Sequence, residues 1–284
     1  MIPYYEQPTL SLGPVTLHAF GALAGAAILA GSALVVRRCR RTGLDARMGA
    51  DLAVYAIVAG FVTAHLYAQL AYFPRDVVEN PLRLFKIWEN ISSFGGFAGG
   101  LAGIWLFFRI RGPGLPGEER WKYLDAVVFA LPFAWAIGRL ACAVAHDHPG
   151  TVTTFPLGVS LATPQAQAYI SSYYEVAGRL ADLPPPARLA RMAFHDLGWY
   201  EFLYTLLVIV PAFLVLDRRP RRPGFYAAAF VFLYAPARFA LDFLRLADAR
   251  YLGLTPAQHL AIAAFAAAAW ASWRSGRGRP RIRP

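Results

Sequence analysis

The sequence predicts an all-α fold: a polytopic membrane protein of seven transmembrane helices with a small extracytoplasmic cap. Three observations carry this. Hydrophobic residues make up 57% of the 284-residue chain and the mean hydropathy is +0.40, where soluble domains sit near about 45–50% apolar. The apolar residues gather into runs of roughly 17–25 residues, the length that crosses a bilayer. Lys and Arg stand in short blocks beside alternate ends of those runs, the bias that keeps such ends in the cytoplasm.

The first span covers about residues 17–36, and five arginines follow it between positions 37 and 47. The second covers about 52–73, the third 91–108 and the fourth 123–145. The fifth covers about 199–216, the sixth 225–244 and the seventh 256–273. An N-terminus outside and a C-terminus inside put 18 Lys/Arg on cytoplasmic segments, more than on the longer outer ones. The first 16 residues hold no Lys or Arg, so the expectation is no charged n-region, no cleaved signal peptide and a retained first span. These features point to a multi-pass membrane protein.

One membrane domain over 1–284 is expected, with 146–198 inserted as a cap between spans 4 and 5. That loop reads HDHPG, then a helical stretch from 164 to 183, a Pro-rich break at 184–186 and a second short helix. Segment 74–90 is also outside; its Leu82, Leu84, Phe85 and Trp88 read as an interfacial helix lying on the headgroup layer. Span 3 opens with five glycines between Gly95 and Gly103, which allow either close helix packing or irregular backbone at a cavity. The chain shows no 20–50-residue internal repeat. Its net charge of +11 does not imply nucleic acid, because the basic blocks lie in loops rather than in a folded basic module. Cys39 and Cys142 fall at opposite faces, too far apart for a disulfide.

Two arginines stand inside apolar runs, Arg139 and Arg238. An intramembrane guanidinium is costly and marks a polar cavity or pathway, and its planar fork suits phosphate oxygens. On a helix Arg139, Cys142, Ala143 and His146 share one face, as do Tyr234, Arg238, Asp242 and Arg245. Asp242 can pair with either of its neighbouring arginines, so a purely structural ion pair is one reading. The other is an anion site, because one Asp cannot neutralise Arg139, Arg238 and Arg245; Glu201 could take up part of the excess. His146-Asp147-His148 lacks the helical spacing of a metal motif, and no metal or cofactor is expected.

Several segments together resemble the bacterial prolipoprotein diacylglyceryl transferases. SLGPVTLHAFG at 11–21 is similar to the family's S-x-G-P-x-x-L-H-x-Y-G, and NPLRLFKIW at 80–88 continues the likeness. Asp125, Pro132, Gly138 and Arg139 keep the family's spacing up to the G-R of its G-R-x-G-N-F-x-N signature. His195, Tyr200 and Glu201 match H-P-x-Q-L-Y-E. Tyr234, Arg238, Asp242, Phe243 and Arg245 match Y-x-x-x-R-x-x-x-E-F-x-R, with Asp for Glu. The family's S-F-H-G-G-L reads SFGGFAGGL here, so Gly95, or Ala98 with a shift, stands where the histidine usually proposed as base would be; Gly96 follows in the same motif. Both signature asparagines are gone, Phe20 replaces an aromatic hydroxyl, and His65 stands for an arginine of the second span.

The resemblance implies transfer of diacylglycerol from phosphatidylglycerol to the lipobox cysteine of a prolipoprotein signal peptide, with the head-group phosphate held by Arg139 and Arg238. It implies the bacterial cytoplasmic (inner) membrane as the location, and substrate contacts for Tyr234, Asp242, Arg245, Tyr200, Glu201, His65, Gly95 and Gly96. The thiol needs a base or a positive field. His146 is the expected substitute because it shares a face with Arg139, ahead of His65 and His148. The alternative is a non-catalytic relative that binds anionic membrane lipid or lipoprotein precursors as an accessory protein.

Overall fold

The computed structural model describes residues 1–13, 15–86, 90–246 and 250–277. The chain is mostly helical. In order it contains α1 (Ala19–Arg41), α2 (Ala46–Tyr72), α3 (Pro74–Glu79), α4 (Ser93–Ile110), α5 (Gly117–Ala145), α6 (Pro164–Val176) and α7 (Pro186–Leu189). Then come α8 (Leu197–Tyr204), α9 (Val210–Leu216), α10 (Phe225–Leu241) and α11 (Pro256–Arg277). A π-helical turn, Thr205–Ile209, joins α8 to α9, so 197–216 runs as one rod. Among the described residues five helices are long and apolar enough to cross a membrane: Ala19–Arg41, Ala46–Tyr72, Gly117–Ala145, Leu197–Leu216 and Phe225–Leu244. Phe94–Ile110 is a shorter apolar helix.

The all-α expectation needs a correction, because the described residues include two small antiparallel sheets. Strands β1 (Thr9–Leu12) and β2 (Val15–His18) pair through Leu10–Leu17 and Ser11–Thr16. Gly13 turns the hairpin at φ 62°, a conformation that favours glycine. Thr9, Val15 and Thr16 are β-branched and suit strands, so the first long helix starts at Ala19 rather than at 17. The second sheet has the order β3-β5-β4, from β3 (Pro149–Thr153), β4 (Val159–Ser160) and β5 (Ala193–Asp196). A loop folded back on itself buries backbone amides, and pairing them as strands satisfies them.

The described residues form two compact units. The first contains Met1–Ala27, Pro132–Pro220 and Ala227–Pro284. Its small core is Val159, Leu161, Ala166, Ile170, Tyr174, Leu189, Phe194 and Leu246, with Ile2 and Tyr4 packed against it. The N-terminal segment is tied down by Ile2, whose N–H donates to Gly158 O at 2.9 Å and whose carbonyl accepts from Ser160 N at 2.7 Å. Thr163 caps α6 by accepting from Ala166 N at 3.3 Å. The Pro-rich break separates α6 from α7 where the sequence places it.

The second unit contains Ile28–Leu131 and Arg221–Tyr226. Val35, Cys39, Leu52, Phe107, Tyr123, Ala126 and Ala130 form its core. Asp125 accepts from Gly224 N at 2.7 Å and Tyr226 N at 3.0 Å, holding the first amides of α10. The glycines of α4 serve packing. A Cβ at Gly95 would lie 2.6 Å from Thr63 O, one at Gly99 2.5 Å from Ala59 O, and one at Gly103 would strike Tyr55 O. These three stand four residues apart on one face, so α2 and α4 meet backbone to backbone. Residues 74–86 form α3 and a 3₁₀ turn, Pro81–Phe85, with Leu82 and Phe85 exposed and Leu84 half-buried; Trp88 lies outside the described residues.

Replacing Gly99 by Leu is expected to destabilise the protein by about 1–3 kcal/mol, because α2 must move to admit the side chain. Thermal unfolding in detergent checks this against Gly21→Ala, where nothing lies within 4 Å and the midpoint is expected to hold.

Candidate active site

The site is built from α5, α8 and α10 in the first unit. Asp196 caps α8 by accepting from Trp199 N at 3.1 Å. Gly198 then lets α8 cross the end of α5: a Cβ there would sit 2.9 Å from Ala143 N and from Cys142 C. One helical turn after the cap, Glu201 meets Arg139 of α5. On α10, Tyr234 and Arg238 lie at i and i+4 on the same face. The chain then tightens into a 3₁₀ turn, Asp242–Leu244, which turns Asp242 back under Arg238.

Both arginines converge on Glu201. Arg139 Nε lies 2.9 Å from Glu201 Oε2, and Arg238 Nη1 lies 2.5 Å from Oε1. The Tyr234 hydroxyl donates to Oε2 at 2.6 Å. Arg238 Nη2 also reaches Asp242 Oδ1 at 2.8 Å, and Arg245 lies 3.9 Å from the same oxygen. Thr255 Oγ1 donates to the other oxygen of Asp242. The Thr255 N–H donates to Gln258 Oε1 at 2.9 Å, and Gln258 Nε2 donates to Phe239 O at 3.0 Å. The Arg139 guanidinium lies 4.4 Å over the Trp135 ring. Arg139 is 4% exposed, Glu201 2% and Asp242 0%, whereas the side chains of Arg238 and Arg245 keep partial exposure. Glu201 serves two guanidiniums at once, and Asp242 lies against Arg238 and, more distantly, Arg245.

The sequence named Asp242 as the first partner and Glu201 as an accessory. The structure gives Glu201 the central place and Asp242 the outer one. Tyr200, next to Glu201, points the other way: its hydroxyl lies 2.9 Å from His195 Nδ1. Burial lowers the pKa of His195 below 6.5, which favours the neutral imidazole.

His146 departs from the spacing argument. Helix α5 ends at Ala145 and His146 has φ 53°, a conformation that a non-glycine residue holds only when its surroundings impose it. Its ring is buried, with Nδ1 2.6 Å from Asp196 Oδ2. Tyr4 stacks on it at 5.3 Å, Tyr5 packs at 4.9 Å, and Tyr169 and Phe194 flank it. The Tyr169 hydroxyl donates to the His146 carbonyl. Nε2 has no hydrogen-bond partner among the described residues. Burial raises the pKa values of Tyr4, Tyr5 and Tyr169, so these rings keep their protons.

The turn after His146 brings Cys142 Sγ, the Asp147 carboxylate and a ring nitrogen of His148 within 4.8 Å of one another. Arg139 Nη1 donates to Cys142 Sγ at 3.7 Å. His65, Gly95 and Gly96 belong to the second unit. There His65 is buried, with Nε2 3.2 Å from Arg83 O, and Gly96 packs against α2, a Cβ lying 3.7 Å from Ala64 Cβ. Sequence reasoning missed Asp196, Thr255 and Gln258. Thr255 and Asp196 each stand just before a helix as polar caps, and that signal could have found them.

Glu201→Gln removes the carboxylate that the buried Arg139 and the largely buried Arg238 share. A loss of about 3–5 kcal/mol is expected, as when one partner of a buried pair is removed. Combining it with Arg139→Gln is expected to cost less than the two single changes added; denaturant titration of all three variants measures the coupling.

The model of the family described as prolipoprotein diacylglyceryl transferase matches residues 7–274. A protein of Synechococcus elongatus named phosphatidylglycerol–prolipoprotein diacylglyceryl transferase is 29% identical over 268 residues, covering 91% of this chain and 84% of its own length. Proteins of the same name from Xanthomonas oryzae pv. oryzae and Thermosynechococcus vestitus are 30% and 27% identical. They cover 84% and 96% of this chain and 79% and 95% of their own lengths, respectively. This chain is a multi-pass membrane transferase and belongs to the prolipoprotein diacylglyceryl transferase family.

Proposed function

We propose that the protein moves diacylglycerol from phosphatidylglycerol to the lipobox cysteine thiol of a prolipoprotein signal peptide. The observation that carries this is the convergence of Arg139 and Arg238 on one buried carboxylate, with the Tyr234 hydroxyl on the same group. The relatives' names supply the substrate classes. They favour the transferase over a non-catalytic lipid-binding relative.

The head group carries a phosphodiester, and its C–O bond to the diacylglycerol breaks. The departing glycerol phosphate gains a second negative charge at that moment. Guanidiniums already in place stabilise that charge without reorganising, and more strongly in a water-poor site than in bulk. Glu201 holds both forks in position until the phosphate arrives, and Tyr234 adds a donor. Arg245 and Asp242 extend the polar floor.

For the thiol proton we retain His146 as the acceptor. Its support is the Asp196 contact, which fixes the ring and leaves Nε2 directed away from that carboxylate. In the membrane we place seven spans, adding α4 and α11 to the five longest helices, with the N-terminus outside and the C-terminus in the cytoplasm of the bacterial inner membrane. Residues 146–198 then form an extracytoplasmic cap inserted in a single membrane domain. The distribution of Lys and Arg supports that orientation.

Expression in a bacterium depleted of its own transferase tests the reading: growth is expected to be restored, and failure of a well-inserted protein to restore it would contradict it. Arg139→Ala and Arg238→Ala are expected to abolish rescue while leaving insertion intact. Lysine at either place is expected to restore only part, because a point charge cannot reproduce a two-donor fork. His146→Gln is expected to lose transfer; near-normal transfer in that variant would remove His146 from the mechanism.

A further inference from the structure

We infer that Cys142, Asp147 and His148 form a binding site for a thiophilic divalent cation, zinc by its ligand set, that accepts the incoming cysteine sulfur as its fourth ligand. The sequence reading weighed the HDH run and the two cysteines separately and expected no metal; the fold brings the Cys142 thiol to Asp147 and His148.

Three ligand atoms of sulfur, oxygen and nitrogen lie within 4.8 Å of one another. Asp147 Oδ1 and His148 Nδ1 meet in a hydrogen bond that the cation would replace, because zinc bonds of about 2.0–2.3 Å set its ligand atoms roughly 3–4 Å apart. A thiolate and an imidazole exclude calcium and magnesium, which take oxygen ligands. One thiolate and one carboxylate balance the two charges of the cation. Three protein ligands with an open fourth position are the pattern of a reactive zinc site rather than a structural one.

The scaffold holds the three residues without the cation. Cys142 lies in the last turn of α5, pinned from behind by Gly198. The left-handed His146 turns the chain back, and Asp147 N donates to Cys142 O at 3.4 Å. The His148 carbonyl accepts from Leu197 N at 3.1 Å, tying the turn to the start of α8. The Asp147 side chain is 36% exposed and that of His148 12%, so the open position faces outward. Arg139 touches the same sulfur, which puts the cation beside the proposed phosphate grip.

The chemistry follows from what the motif lacks. Gly95 and Ala98 supply no histidine base, yet a thiol of pKa about 8.5 must react as thiolate. On binding, the acceptor S–H bond breaks, a sulfur–metal bond forms, and the proton passes to His146, the acceptor proposed above. The metal-held sulfur then forms a bond to the glycerol carbon of the lipid. The C–O bond breaks and its electron pair leaves with the glycerol phosphate, whose new charge falls to Arg139 and Arg238. The product thioether is a neutral, weaker ligand and departs. Nothing is oxidised or reduced.

This step rests on the transferase reading, whereas the binding of the cation does not, so the two can fail separately. The experiment strips the purified, detergent-solubilised protein with a chelator and titrates it with zinc, then with cobalt as a coloured substitute. One zinc per chain and a near-ultraviolet cobalt–thiolate band are expected. Cys142→Ser is expected to abolish the band. His148→Gln and Asp147→Asn are expected to weaken zinc binding by at least ~10-fold, the lower end of what losing even an outer partner costs. Unchanged unfolding midpoints without metal show that each variant is folded. Zinc binding with no transfer to a lipobox peptide would overturn the transferase reading and leave the site standing. Absence of binding at micromolar zinc, a cobalt–thiolate band that survives Cys142→Ser, or full transfer by the stripped protein would overturn the proposal.

Discussion

Two guanidiniums in the apolar part of a chain have nowhere to put their charge except onto a carboxylate that is itself out of water. Glu201 provides it, with Arg139 at 2.9 Å on one oxygen and Arg238 at 2.5 Å on the other. Taking such ions out of water costs several kcal/mol each, and their attraction offsets this only when geometry and hydrogen bonding are good. The surroundings supply both: the Tyr234 hydroxyl on Oε2, the Trp135 face under Arg139, and Asp242 on the far side of Arg238.

The rest of the first unit serves this geometry. Gly198 lets α8 lie on α5 closely enough for Glu201 to reach Arg139. Asp242 needs partners of its own, and Thr255, fixed by Gln258 at the start of α11, gives one. The same crossing of α8 over α5 places Asp196 on His146 and folds Asp147 and His148 over Cys142. A few backbone constraints therefore set both the arginine pair and the turn beside it that carries Cys142, Asp147 and His148.

Long-range order in this chain was legible where it depends on period and length. The apolar runs gave the helices to within a few residues, and the stripe Tyr234, Arg238, Asp242 was readable because one helix sets it. The partnership of Glu201 with both arginines was not, since it depends on how two helices cross at Gly198. Strands β1 to β5 were hidden because each is short and none carries a long alternation. His146 shows the limit of extrapolating a helix: one residue with positive φ moves the ring out of the stripe and into the tyrosine cage. The glycines of α4 allowed two readings in sequence, and the backbone of α2 at their Cβ positions decides for packing. Cys142 looked inert because its companions lie five and six residues on, beyond the end of the helix.

The most direct test of the account follows both products of one turnover. The purified protein is reconstituted in vesicles of phosphatidylglycerol with a synthetic peptide bearing a lipobox cysteine. The account predicts a peptide heavier by one diacylglyceryl group on sulfur and an equal amount of glycerol phosphate released. Release of glycerol phosphate without peptide modification, or neither product from a protein that retains its fold, would contradict it.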